Sequence, residues 1–169
     1  GKSAGCGAER HLLAHHAADV AAVFLALLEQ PAWRSRLEAA AGRALSVDET
    51  ECLAALVFLH DIGKLAPGFQ AKAWPQAKGI RLTGHLEAGW RWIAMPRPDA
   101  LAGAIRHLSR WPEMREWFAV VLAHHGRPVP EPLVGNATDA FPVLPCYDWR
   151  MEESILGRCL TEWFPAITH

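Results

Sequence analysis

The chain has 169 residues, 51% of them hydrophobic, and this predicts one domain with a substantial core. Its formal net charge of −1 excludes a globally basic nucleic-acid-binding protein, so any attraction for DNA must come from a local patch or from bound cations. Its apolar runs are interrupted by charge before they reach the roughly 18 residues of a membrane span. The four cysteines, Cys6, Cys52, Cys146 and Cys159, form no CxxC pair. This argues against a zinc ribbon or a disulfide framework and favours a reducing cytoplasm.

The predicted elements are helices joined by loops, and no run alternates in the way of a strand. Helices are expected over residues 11–28, 46–61, 84–95, 99–109, 112–125 and 148–164. Pro31 is expected to close the first helix and Gly63 the second, while Ser46 and Glu49 form a capping box at the start of the second. Pro112 fits the first turn of its helix. The pattern predicts an all-α fold with surface loops over 67–83 and 126–147.

Histidine is the unusual feature of the composition, with nine histidines against six aspartates. Four short motifs place histidine or aspartate near a helix end or kink: His16, the pair His60-Asp61, His85, and the pair His124-His125. Imidazole and carboxylate together suit Mn, Fe, Co, Ni or Zn, and Mg where oxygen ligands dominate. Because neighbours on a helix point about 100° apart, each pair can hold one metal from two directions or reach two metals.

For any one of these histidines the alternative is an ordinary side chain, hydrogen-bonded in the core or exposed. The combination favours a metal site, because His60-Asp61 precedes Ile62-Gly63-Lys64 and the other motifs follow in a spaced series. His15 is expected to face away from His16, and His107 has no partner motif.

The run His60-Asp61-Ile62-Gly63-Lys64 resembles the signature of the HD superfamily of metal-dependent phosphohydrolases. Its surroundings resemble one branch, the HD nuclease domain of the type I CRISPR nuclease-helicase, over about residues 1–127. The segments that carry the resemblance are His11–Leu13, His16–Val23, His60–Lys64, Phe69-Gln70, Gly84-His85 and Ala123–Gly126.

This resemblance implies an HD-domain helical bundle with a metal centre between helices, and cleavage of single-stranded DNA. It implies one or two divalent ions as cofactors, namely Mn, Fe, Co or Ni, with Mg or Zn as alternatives. The implied partners are single-stranded DNA, a helicase domain in the same or a companion chain, and the CRISPR DNA-surveillance complex. No membrane partner is expected.

Motif positions in the family assign roles to individual residues. Asp61 is implied as a catalytic residue that bridges two metals, and the remaining implied ligands are His16, His60, His85, His124 and His125. Lys64, one helical turn after His60, is expected to act in catalysis by binding a phosphate oxygen of the substrate. The alternative for Lys64 is a solvated lysine after a helix end.

The family pattern also carries a ligand aspartate on a late helix, in an Ala-Asp-rich context that this chain lacks. Asp139 lies in a Pro-rich region and Asp148 opens a predicted helix, so both are expected to be turn or cap residues. We therefore expect residues 1–169 to be a single HD nuclease domain, truncated before its last metal-ligand helix.

Two other functions remain open: an HD phosphohydrolase that acts on nucleotides, and an inactive module that docks on the surveillance complex. The absent aspartate and the tryptophans favour the second of these. Trp90, Trp92, Trp111 and Trp117 are expected to lie in the core or at a partner interface more often than to stack on bases.

Overall fold

A computed structural model describes residues 12–73, 78–94, 100–129 and 147–168. In these ranges every regular element is helical, which confirms the predicted all-α fold. The α-helices are α1 (Leu13–Leu28), α2 (Pro31–Ala41), α3 (Val47–Phe58), α4 (Pro67–Gln70), α5 (His85–Ala94), α6 (Ala100–Leu108), α7 (Met114–Leu122) and α8 (Trp149–Trp163). Single 3₁₀ turns lie at Ile62–Leu65, Ala71–Ala73 and Pro165–Thr168.

Helices α1 and α3 pack closely because alanines line their shared face. Ala14, Ala17 and Ala21 recur at helical spacing on α1 and are fully buried, and α3 contributes the buried Ala54 and Ala55. Such short side chains let the two backbones approach. This packing brings His16 on α1 beside the end of α3, where His60 and Asp61 follow.

The core lies between these two helices and α5 to α8. Its largest fully buried side chains include Phe58, Trp92, Leu101, Leu108, Leu122, Leu156 and Leu160. Trp90 and Trp92 belong to this core, whereas Trp117 is 39% exposed. The expected core position is therefore confirmed for Trp90 and Trp92.

The expectation that Pro31 closes the first helix is wrong. The first helix ends at Leu28, and Pro31 is the first residue of α2, where its fixed φ suits the helix and its absent N–H would have no partner. Gly42, with φ of 70°, ends α2 in the left-handed conformation. None of the residues of α2 is buried, so no apolar stripe marks this helix in the sequence.

Other predicted boundaries also shift, among them the end of α7, which lies at Leu122 where His125 was expected. The capping box of Ser46 and Glu49 is confirmed, but α3 ends at Phe58 and does not extend to Asp61. The helix start predicted at Pro112 is two residues early, because Glu113 takes φ of 58° before α7 begins at Met114. In the predicted loop 67–83, the structure forms α4 and a 3₁₀ turn.

Among the described residues, no single helix is both long enough and apolar enough to cross a membrane. One bent pair, Val47–Leu65 with Pro67–Ala73, meets that requirement jointly, by length and composition only.

Candidate metal centre

His60 lies two residues beyond the last residue of α3, and a backbone carbonyl fixes its ring. Its Nδ1 lies 2.8 Å from the carbonyl oxygen of Val57. A carbonyl oxygen can only accept, so Nδ1 donates and the neutral ring keeps its lone pair on Nε2. That Nε2 lies 3.2 Å from Oδ2 of Asp61. The end of α3 therefore presents an imidazole already in a metal-binding tautomer.

His124 repeats this arrangement after α7. Its Nδ1 donates to the carbonyl oxygen of Val121 at 2.9 Å, and its Nε2 faces Asp61 at 3.6 Å from Oδ1. The next residue, His125, has its Nε2 only 3.2 Å from Nε2 of His85, the first residue of α5. Three imidazoles from two helix ends thus converge.

The Asp61 carboxylate lies between two groups of imidazoles. Its side chain is only 4% exposed. Oδ2 lies 3.1 Å from Nε2 of His16 and also contacts His60 and the ammonium of Lys64. Oδ1 faces His85, at 3.4 Å, and His124 on the other side. Each carboxylate oxygen is therefore directed at a different histidine group.

All six residues predicted as ligands come together at this point. The donor atoms of His16, His60 and Asp61 lie within 4.8 Å of one another, and so do those of His85, His124 and His125. These are the groups of three or more such side chains that the described part of the chain offers to a metal ion. Lys64, predicted to act beside them, adjoins the first group through Asp61.

Burial and the central carboxylate set the charge state of the cluster. Burial is the main reason that the pKa of His85 falls to about 4, although Asp61 opposes the shift. The pKa values of His16 and His124 are lowered for the same main reason. Burial alone would raise the pKa of Asp61, but the hydrogen bond and positive charge of Lys64 hold it well below its usual range. At neutral pH the rings of His16, His85 and His124 are therefore neutral beside an ionised Asp61 carboxylate.

These residues fit a pair of divalent transition-metal ions. Oδ1 of Asp61 is buried and lacks a hydrogen-bond partner among the described residues, which a bound cation would supply. Neutral imidazole nitrogens with one carboxylate are a donor set for Mn, Fe, Co, Ni or Zn. The Nε2 atoms of His85 and His125 are 3.2 Å apart, close enough for the two rings to share an ion.

Comparison with known families agrees with this geometry. A family model described as "Cas3, HD domain" matches residues 1–169. The chain belongs to the Cas3 HD-domain family. It is thus a member of a family of CRISPR-associated, metal-binding nucleases that act on DNA. Neither the curated proteins nor the solved structures contained a match.

Gly63, the glycine of the HD motif, has a packing role in this Cas3 HD domain that the sequence did not predict. A Cβ on Gly63 would lie 1.7 Å from the backbone oxygen of His85 and 2.5 Å from the backbone nitrogen of Gly89. Gly63 was expected to end a helix, but it lies inside the 3₁₀ turn and lets that turn touch α5. This close approach joins the two halves of the metal centre.

Gln70 and Tyr147 hold the same turn from outside the cluster. The side-chain amide of Gln70 donates to the carbonyl oxygen of Lys64 at 2.7 Å, and the Tyr147 hydroxyl donates to that of Leu65 at 3.0 Å. The Phe69-Gln70 motif was noted in the sequence, but the hydrogen bond from Gln70 to Lys64 was not predicted. No sequence signal pointed to Tyr147, because its partner is 82 residues away.

The remaining candidates lie elsewhere. The Asp148 side chain accepts a hydrogen bond from the Arg150 backbone N–H at 3.0 Å, so it caps α8 as expected. Asp139 lies outside the described residues. His15 is exposed on α1 while its neighbour His16 faces Asp61, as the angular argument predicted.

Proposed function

We propose that this chain hydrolyses phosphodiester bonds of single-stranded DNA with two divalent metal ions. His16, His60 and Asp61 would hold one ion, and Asp61 would share the second with His85, His124 and His125. The observation that supports this most directly is the Asp61 carboxylate, whose two oxygens face separate imidazole groups. When bound, a pair of ions supplies an activated water and neutralises charge on the leaving oxygen.

The surrounding side chains orient this centre. The carbonyl oxygens of Val57 and Val121 fix the His60 and His124 rings with Nε2 towards Asp61. The Lys64 ammonium carries three donors, only one of which is needed for its contact with Asp61. The other two can bind a non-bridging oxygen of the phosphate that is cut, and Gln70 holds the Lys64 backbone in place for this.

The biological setting is CRISPR interference, and family membership supports it. We infer that a helicase domain, in the same or a companion chain, delivers the strand after the DNA-surveillance complex has recruited it, and that this happens in the cytoplasm. The ions are Mn, Fe, Co or Ni, with Zn as an alternative, rather than Mg alone, because nitrogen donors outnumber oxygen donors.

Cleavage of circular single-stranded DNA tests this function. Purified wild-type chain should cut the circle when Mn²⁺, Co²⁺ or Ni²⁺ is added, and His60→Ala and Asp61→Ala should abolish cutting. His107→Ala is the matched control, because His107 lies on α6 outside both ligand groups. Circular dichroism of each variant should show the same helix content.

The nucleotide-phosphohydrolase alternative is separated by adding deoxynucleoside triphosphates and cyclic nucleotides to the same assay. If these nucleotides are hydrolysed in a metal-dependent reaction while the DNA circle stays intact, the chain is a nucleotide phosphohydrolase and not a nuclease. A chain that purifies with two metals but cuts none of the substrates would contradict both enzymes, whereas a chain that binds no metal would favour the docking module.

A further inference from the structure

Positive charge is concentrated in the segment that connects the two halves of the metal centre. Residues 62–86 contain Lys64, Lys72, Lys78 and Arg81 and no Asp or Glu. The whole chain has 17 basic and 18 acidic residues, so the remainder carries 13 basic and 18 acidic ones. The near-neutral total therefore conceals a local basic strip, which is what a polyanion requires.

Contacts between residues 62–73 and residues 78–86 hold these two described arms of the strip together beside the site. The strip starts directly after Asp61 and reaches His85, and it doubles back where the Thr83 backbone N–H donates to the carbonyl oxygen of Gly68 at 3.2 Å. A Cβ on Gly68 would meet the backbone oxygen of Arg81 at 2.5 Å, so the two arms are in close contact. The backbone of Arg81 thus lies against the arm that carries Lys64 and Lys72.

An aromatic contact fixes the position of Lys72 relative to the metal ligands. The Lys72 Nζ lies over the Phe69 ring, 5.0 Å from its centroid. The Phe69 ring in turn meets the His85 ring edge-on at 5.4 Å between centroids. Lys72 is therefore an exposed cation held within roughly 10 Å of a ligand imidazole by one intervening ring.

Apart from Lys64, which contacts Asp61, the cations of this strip lack the acidic partners that other cations of the chain have. Arg34 pairs with Glu38 at 3.5 Å, Arg91 with Glu87 at 3.4 Å, and Arg43 contacts Glu49. Among the described residues Lys72, Lys78 and Arg81 have no such ion pair, and all three are exposed. Their charges are thus available to a ligand outside the chain.

We propose that Lys72, held over Phe69, binds the backbone phosphate next to the one that is cut, and that Lys78 and Arg81 continue this track along the strand. The inference rests on the proposed nuclease function and deepens it. Contacts of this kind bind phosphate irrespective of base, so the track would select a polynucleotide over a mononucleotide without selecting a sequence. Lys72 is in this sense a substrate-binding residue rather than a catalytic one.

Fluorescence anisotropy of a labelled oligodeoxythymidylate, with the protein held metal-free by a chelator, tests the track over a series of KCl concentrations. Lys72→Ala should raise the Kd severalfold and reduce the slope of log K against log salt by about 0.7, the value for one phosphate contact on a single strand. Lys72→Arg should keep both values near those of the wild type.

Arg36→Ala is the matched control, because Arg36 is also a cation over an aromatic ring, 5.8 Å from the centroid of Trp33 on α2. Equal effects of the Lys72 and Arg36 variants would overturn the track, as would a wild type that does not bind the oligonucleotide. Displacement of the oligonucleotide by polyglutamate at equal charge would also overturn it, in favour of an acidic protein partner. Because binding is measured without metal, a chain that binds the oligonucleotide but does not cut DNA when metal is added would contradict the nuclease function and leave the phosphate track intact.

Discussion

His60 and His124 occupy equivalent positions at the ends of two helices. Each follows the last residue of its helix by two, and each donates from Nδ1 to the carbonyl oxygen three residues earlier. Their rings meet edge to face at 5.1 Å between centroids. A carbonyl oxygen in the last turn of a helix, which also accepts a backbone N–H, thus serves as the orienting partner for a candidate ligand imidazole.

Asparagine in place of His60 should separate the structural hydrogen bond from the metal donor. Its side-chain amide can still donate to the Val57 carbonyl oxygen, whereas His60→Ala removes that donor as well. Both variants should lose metal affinity by more than the roughly 10–100-fold that an outer-shell partner costs. In the metal-free chain, urea unfolding should show His60→Ala about 1 kcal/mol less stable than His60→Asn. Retention of wild-type metal affinity by the asparagine variant would contradict a ligand role for Nε2.

The proposed bridging role of Asp61 predicts unequal effects on metal content. Asp61→Asn should weaken both ions, because each carboxylate oxygen faces a different imidazole group. His125→Ala should weaken only the ion near His85 and leave one ion bound. Metal analysis after gel filtration, with Mn²⁺ or Co²⁺ at saturation, measures the number retained. Equal metal content in the two variants would show that Asp61 does not bridge.

The fold class and the six candidate ligands could be predicted from the sequence because they rest on local signals. Helical spacing marked α1 and α3, and the motif His60-Asp61 is contiguous. The family motif assigned the ligand role to His16, and helix geometry then predicted that His15 faces elsewhere. His16 lies beside Asp61 although the two are 45 residues apart.

Other features depend on contacts that no local pattern contains. α2 has no buried residue, so its sequence carries no apolar stripe, and Pro31 resembled a stop rather than a start. The role of Gly63 depends on the backbone of α5, which is distant in sequence. The lowered pKa of His85 likewise arises from burial, which only the packed structure determines.

The low pKa of His85 predicts that the metal-free chain loses stability in mild acid. The unfolded ring titrates near 6.5 and the folded ring at about 4, so between these values the unfolded state binds more protons and stability falls as pH decreases. The loss reaches at most about 3 kcal/mol below the folded pKa and vanishes above 6.5. Because the pKa of Asp61 is held well below its usual range, the stabilisation from its ionised carboxylate persists throughout this window.

Urea unfolding with a chelator at pH 7, 5.5 and 4.5 checks this dependence, with His85→Gln as the comparison. The variant should lose less stability than the wild type over the same range, because its side chain does not titrate. Parallel curves for the two proteins would show that His85 is not buried as a neutral ring.

Alanine at Gly63 should damage both the fold and the metal centre, whereas alanine at Gly84 should do neither. A Cβ at Gly63 would meet backbone atoms of His85 and Gly89, which cannot rotate away, so the 3₁₀ turn and α5 must separate at a cost of about 3 kcal/mol. Gly84 is also next to His85, but its Cβ would meet nothing within 4 Å. Thermal unfolding and Co²⁺ titration of both variants measure the difference. Because the separation moves His85 away from Asp61, Gly63→Ala should bind the second ion more weakly even where it remains folded, and an unchanged titration would contradict the proposed link between the two halves.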